Sequence, residues 1–167
     1  ASAITELKES ISLDSKNSDA RNNLASVYYQ TGKLAEAKRE YIEVSKDLIY
    51  KNQFRTYYNL ALVSIKEKKL NDAIAFLKKS IKEKDDYCPA HFKLGELAND
   101  NYQYQDALKY FKNAMMGECT KEPAPHFEYA KTLVHLQRYD EAIVKFEEIR
   151  EKFSKTRYAF LALQEVK

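Results

Sequence analysis

An all-α, right-handed superhelix of antiparallel helix pairs is the fold this sequence predicts, and three observations predict it. Gly and Pro number three each in 167 residues, too few for the punctuation of a turn-rich sheet protein. Apolar residues at 44% and charged residues at 32%, with Ala, Leu, Lys and Glu abundant, suit amphipathic helices around a continuous core. Shifted on itself by 34 to 36 residues, the stretch NNLASVYYQTGKLAEAKREY from Asn22 meets three others: YNLALVSIKEKKLNDAIAFL from Tyr58, KLGELANDNYQYQDALKYF from Lys93 and EYAKTLVHLQRYDEAIVKF from Glu128. A fixed period of this size signals a stacked array.

The four segments share residues as well as a period. Leu24, Leu60, Leu94 and Tyr129 recur at one place, followed directly by the small residues Ala25, Ala61, Gly95 and Ala130. Further on, Ala37, Ala73, Ala107 and Ala142 precede the large Tyr41, Leu77, Phe111 and Phe146 by four residues. Small holes opposite large knobs are what closely crossing helices require. The pattern resembles the tetratricopeptide repeat, a helix-turn-helix unit of 34 residues, with these four sets at repeat positions 7, 8, 20 and 24.

That register orders the elements. Residues 1–17 supply helix B of a partial preceding repeat, with Ala3, Leu7 and Ser10 at positions 20, 24 and 27. Complete repeats occupy 18–53, 54–87, 88–122 and 123–156, starting at Ser18, Phe54, Cys88 and Pro123. Residues 157–167 form helix A of a partial or capping repeat, with Phe160 and Leu163 at positions 4 and 7. Terminal repeats normally carry a polar outer face, so this apolar last helix suggests a fragment or an occupied end. The chain departs from the family at position 4, where Arg21, Tyr57, His91 and His126 replace Trp, and at position 32, where Ile49, Asp85, Cys119 and Ser154 replace Pro. At the turn inside each pair only Gly32 is a glycine, so Lys68, Tyr102 and Gln137 must accept left-handed backbone or the turns must differ.

Catalysis finds no motif: GxGxxG, a Walker-type loop, HExxH and GxSxG are all absent, and the glycines at 32, 95 and 117 are too scattered to cradle phosphate. No catalytic residue, metal or cofactor is expected, and His91 and His126 read as packing residues at equivalent repeat positions. Cys88 opens helix A of the third repeat and Cys119 follows its helix B, at the same end of an antiparallel pair. Three outcomes stay open for them: a disulfide, which needs Cα atoms within about 7 Å; two reduced thiols in a cytosolic protein; or a zinc site with His91 and His126.

The resemblance also implies a binding surface, since the A helices of such repeats line a concave groove. Its lining here would comprise Asn22, Asn23, Ser26, Tyr29, Tyr58, Asn59, Leu62, Phe92, Lys93, Glu96, Phe127 and Lys131. Aromatic and aliphatic side chains with asparagines between them suit an amphipathic helix or extended apolar segment. The carboxylate clamp of chaperone-binding relatives is not reproduced, because Asn22, Ser26, Asn59, Pro89 and Lys93 stand at its five positions and only Asn59 matches. The lysine-rich KEKK from Lys66 and KKSIKEK from Lys78 read as a solvated helix face.

A net charge of +3 gives no field strong enough to suggest nucleic acid, and no apolar run approaches the roughly 20 residues that span a bilayer. The link SKDLIYKNQFRTYYNLAL between the first two repeats is two residues longer than standard. It resembles that of the tetratricopeptide lipoproteins of type IV pilus biogenesis, the pilotins. Membership would imply a non-enzymatic assembly factor at the periplasmic face of the bacterial outer membrane, with the pilus secretin or another pilus component as protein partner. Membrane contact would then come through a lipid anchor outside this chain. The alternative is a cytoplasmic adaptor or regulatory domain of a larger protein.

Overall fold

The structure is a computed structural model and describes residues 3–165, with the backbone alone for Glu118. Every regular element among the described residues is helical. The chain forms two compact units, Ala1–Asp85 and Asp86–Lys167.

The first unit holds α1 (Ala3–Leu13), α2 (Ser18–Gln30), α3 (Leu34–Ser45), α4 (Gln53–Lys66) and α5 (Leu70–Glu83), each packed against the next, with α2 also touching α4. The start of α2 is set by Asn17, whose side chain accepts the Ala20 N–H at 2.9 Å and so satisfies one of the first-turn donors. Leu24, Ala25, Tyr28, Ala37, Tyr41, Leu60 and Val63 form the core, against which Ile4, Leu7 and Ile11 lay the apolar face of α1.

The second unit holds α6 (Cys88–Asp100), α7 (Tyr104–Ala114), a 3-10 turn (Gly117–Cys119), α8 (Pro123–His135), α9 (Tyr139–Lys152) and α10 (Arg157–Glu165). Pro123 opens α8, where its missing N–H costs nothing. Leu108, Phe127, Ala130, Leu133, Ala142, Phe146, Ile149, Phe153 and Ala162 make the larger cluster of this unit.

Both units use the small-against-large fit. Ala25, Ala61 and Ala130 are wholly buried, as are Ala37, Ala73 and Ala107, while Tyr41, Leu77, Phe111 and Phe146 fill the facing space. The turns inside the pairs are of one kind. Gly32, Lys68, Tyr102 and Gln137 all take positive φ, between 59° and 77°. The residue after each donates back to the helix it leaves: Lys33 to Tyr28, Lys69 to Ser64, Gln103 to Ala98 and Arg138 to Leu133, at 2.8–2.9 Å. This backbone closure satisfies helix-end carbonyls, and it holds three residues with side chains in a region that favours glycine.

Position 4 divides by residue type. Arg21 reaches Glu40, a carboxylate only 7% exposed, at 2.8 Å, and Arg39 approaches its other oxygen at 3.2 Å. His91 is buried with its ring 6.4 Å from that of Tyr110, and His126 lies 5.1 Å from the Phe153 ring. Both histidines occupy the aromatic packing place of the repeat.

Candidate interaction surface

In the first unit the candidate residues lie on α2 and α4. Ser26 is committed internally: its hydroxyl sits 3.0 Å from the Asn22 carbonyl, to which it donates, and 2.9 Å from the Tyr41 hydroxyl. Burial, partly offset by that contact, pushes the Tyr41 hydroxyl pKa up. Asn23 is exposed, whereas Asn22, Tyr29, Tyr58, Asn59 and Leu62 are half-buried. The Oδ1 of Asn22 is buried and accepts no hydrogen bond among the described residues. The Tyr29 ring carries the Lys66 ammonium 3.9 Å from its centroid, a cation–π contact.

The second unit corrects the expectation of an aromatic lining. Phe127 is 5% exposed and packs between Phe146 at 5.7 Å and Tyr158 at 5.5 Å, so it is a core residue. Phe92 is half-buried and makes the equivalent contact with Phe111, also at 5.7 Å. In both repeats position 24 is aromatic, and a ring at position 5 gains more by burying an edge against it than by standing in water.

What this unit offers instead is charge. Lys93 pairs with Glu96 at 2.5 Å and Lys131 with Glu128 at 3.7 Å, each one helical turn apart. Burial raises the Glu128 carboxyl pKa, Lys131 opposes, and the Glu96 charge adds to the rise. Thr132 on α8 donates to Asn99 on α6 at 3.2 Å, and Tyr104 stacks on His135 with centroids 4.9 Å apart. Sequence reasoning missed both links; Thr132 and Asn99 stand 33 residues apart, near the repeat period, which is the signal that could have found them.

Cys88 and Cys119 are joined as a disulfide with Cα atoms 6.2 Å apart. Gly117, at φ 60°, turns the chain into the 3-10 turn that brings Cys119 back to the start of α6. With both sulfurs bonded to each other, neither can serve as a thiolate ligand, so the zinc and free-thiol alternatives are set aside. Among the described residues no three His, Cys, Asp or Glu side chains gather as a metal site.

The lysine-rich stretches do more than face water. Lys79 lies over the rings of Tyr57 and Phe76, Lys84 over Phe54, and Glu67 receives both Lys38 at 2.8 Å and Lys69 at 3.2 Å. The Lys79 and Lys84 ammonium groups lie 5.3–5.7 Å from the ring centroids, within reach of cation–π attraction. Among the described residues no helix is long and apolar enough to cross a membrane.

Stacked helix pairs with small holes opposite large knobs define a helical-repeat scaffold for protein–protein interaction. Direct comparison agrees: tetratricopeptide-repeat models match residues 6–39 and 54–87, so these segments carry tetratricopeptide repeats. Type IV pilus assembly protein PilF of Pseudomonas aeruginosa is 26% identical over 106 residues, which cover 64% of this chain and 42% of that protein. The chain thus spans less than half the length of this curated relative. Among solved structures, that of Pseudomonas aeruginosa PilF matches with a TM-score of 0.79 at 20% identity, over 98% of this chain and 72% of the other. PilW, described as a type IV pilus biogenesis factor, matches at 0.78 and 18% identity, over 94% and 72%. MamA matches at 0.77 and 18% identity, over 91% and 87%. Fold similarity at these identities extends to a protein with no pilus role in its description, so it speaks for the fold alone.

Proposed function

We propose that this chain is a non-enzymatic assembly factor that takes an apolar helix or extended peptide on the α2–α4 face of its first unit, the partner being the secretin of a type IV pilus. The observation that carries the binding site is the set Tyr29, Tyr58 and Leu62, which stay half-buried on that face while Phe127 of the second unit is packed into its core. A partner's apolar side chains laid across α2 and α4 would cover the part of these side chains that water still reaches, which is where such grooves gain affinity. The charged face of the second unit, with Lys93, Glu96, Glu128 and Lys131 already paired, is better suited to orienting the partner than to holding it.

The pilus assignment is supported by the relationship to PilF over 106 residues. The disulfide supports an oxidising compartment such as the periplasm, and so favours the periplasmic face of the outer membrane over the cytoplasm.

The test is capture of purified secretin subunit by the immobilised chain. Wild type is expected to retain it, and Tyr58→Ala with Leu62→Ala to lose it with unchanged helicity. Absence of wild-type capture overturns the secretin as partner; capture undiminished in the double variant overturns the face.

A further inference from the structure

The α2–α4 face carries one contact that its apolar side chains do not explain. Lys66, in the last turn of α4, lays its ammonium 3.9 Å from the centroid of the Tyr29 ring on α2. Lys66 is exposed and Tyr29 half-buried, so water reaches both. A lysine at a helix C-terminus is favoured there by the helix dipole, and any exposed rotamer would serve that purpose. This one instead covers one face of a ring on which the binding site depends, by cation–π attraction. The contact is particular to the first unit. One repeat period twice removed, the corresponding places hold Asn99 and His135, and His135 stacks on Tyr104.

Charge is distributed unevenly along the same face. Helix α4 has no Asp or Glu, and its two cations stand in its end turns, Arg55 in the first and Lys66 in the last. Their surroundings differ. Arg55 shares its end with Asp19, since both charges act on the Tyr50 hydroxyl, which donates to Asp19 at 2.8 Å. Lys66 forms no ion pair among the described residues. Glu67, next to it in the chain, is taken by Lys38 at 2.8 Å and Lys69 at 3.2 Å. The other acids of the two turns at this end, Glu36 and Asp72, stand in the first turns of α3 and α5, where a helix N-terminus favours a carboxylate. Against these three acids the same turns bring Lys33, Lys38, Lys66, Lys68 and Lys69. This end of the face therefore has a surplus of positive charge, whereas the end at Asp19 and Arg55 has both signs together.

We propose that Lys66 is the specificity residue of the face and selects an apolar segment that carries a carboxylate side chain at the end lying over the close of α4. The inference rests on the reading of the α2–α4 face as the binding site and adds the chemistry of what that face takes. In the free protein the ammonium rests on Tyr29, and an apolar side chain that takes this ring face moves it off. A purely apolar segment leaves the displaced ammonium only water. An acidic one gives it a carboxylate at the border of a contact that excludes solvent, where an ion pair is screened less than in the open. Displacement and pairing occur together, so the acid sets both which segment binds and which way it runs. The second unit cannot make this choice, because Lys93 and Lys131 already have Glu96 and Glu128.

Overlapping synthetic peptides that together cover the secretin subunit, measured by fluorescence anisotropy against the full chain, test it. An apolar peptide with Asp or Glu beside its apolar run is expected to bind, and replacing that acid by its amide should weaken binding about fivefold. Lys66→Met keeps an unbranched apolar stem and removes the charge, and it should bind the acid and amide forms equally. Lys66→Glu should prefer the peptide in which Lys replaces the acid, a reversal that no loss of packing produces. Lys109→Glu, at an exposed lysine of the second unit, should keep the wild-type preference. Circular dichroism should show unchanged helicity in every variant. Equal binding of acid and amide forms by wild type, or a preference that survives in Lys66→Met, overturns the inference and leaves the face as the binding site. Binding by none of the peptides overturns the secretin reading, and this inference with it.

Discussion

Gly95 on α6 faces the ring of Phe111 on α7 so closely that a Cβ built on Gly95 would stand 2.5 Å from the ring edge and within 3 Å of two further ring atoms. The other repeats place alanine here opposite Tyr41, Leu77 or Phe146. Only the third has traded the methyl for a closer approach, and Phe111 is wholly buried there.

Gly95→Ala should therefore destabilise the protein by about 1–3 kcal/mol, the range of overpacking a filled core. Gly95→Ala combined with Phe111→Leu should cost less than the sum of the two single changes, since the neighbours share one space. Urea unfolding of the four proteins measures the cycle; simple additivity would remove the contact as the reason for glycine.

The Cys88–Cys119 bridge closes a loop across 31 residues. Cys88→Ser with Cys119→Ser should lower stability by about 3–4 kcal/mol, read by urea unfolding without reductant. Thiol titration of the unfolded wild-type chain should find no reactive thiol before reduction and two afterwards.

His126 gives a pH dependence of known sign. Burial, and then the charge of Lys152, hold its imidazole pKa below the usual 6.5. Between the folded value and 6.5 the unfolded chain binds more protons, so stability is full above 6.5 and is lost as pH falls through that window. Thermal melts from pH 7.5 down to 5.5 should show this loss. His126→Phe, which keeps a ring against Phe153, should flatten the curve there, and equal slopes in the two proteins would exclude His126 as the source.

Gln137 holds a φ of 59° with no glycine to ease it. Gln137→Gly should stabilise by about 0.5–1 kcal/mol, the left-handed strain relieved less the added freedom of the unfolded chain. Tyr102→Gly should gain less, because it also removes an edge-on contact with Tyr104 at 6.2 Å. Melting temperatures of the two variants decide the order.

Much of the fold was legible because the repeat writes the same packing problem several times. Ala37, Ala73, Ala107 and Ala142 could be matched by eye, and the turns at Lys68, Tyr102 and Gln137 followed from the place of Gly32. The interaction surface was less legible. The register places Phe92 and Phe127 among groove positions, but whether a ring at such a position stays outside depends on the residue it meets across the pair. With Phe111 and Phe146 there, Phe127 went into the core and left Lys93, Glu96, Glu128 and Lys131 as the polar side of the second unit. The register placed Leu48 and Ile49 in the link between repeats but could not say that both stand in water, which the hydrogen bonds of Gln53 and Asp47 to that link decide.

The sequence by itself determined the all-helical class, the period and the knob-and-hole partners, since local periodicity and residue size are properties of the chain. The three-dimensional structure brought Cys88 and Cys119 together as a disulfide and packed Phe127 into the core. Those outcomes join residues 19 to 31 apart in the chain, and only the packed helices and the path of each connection set them.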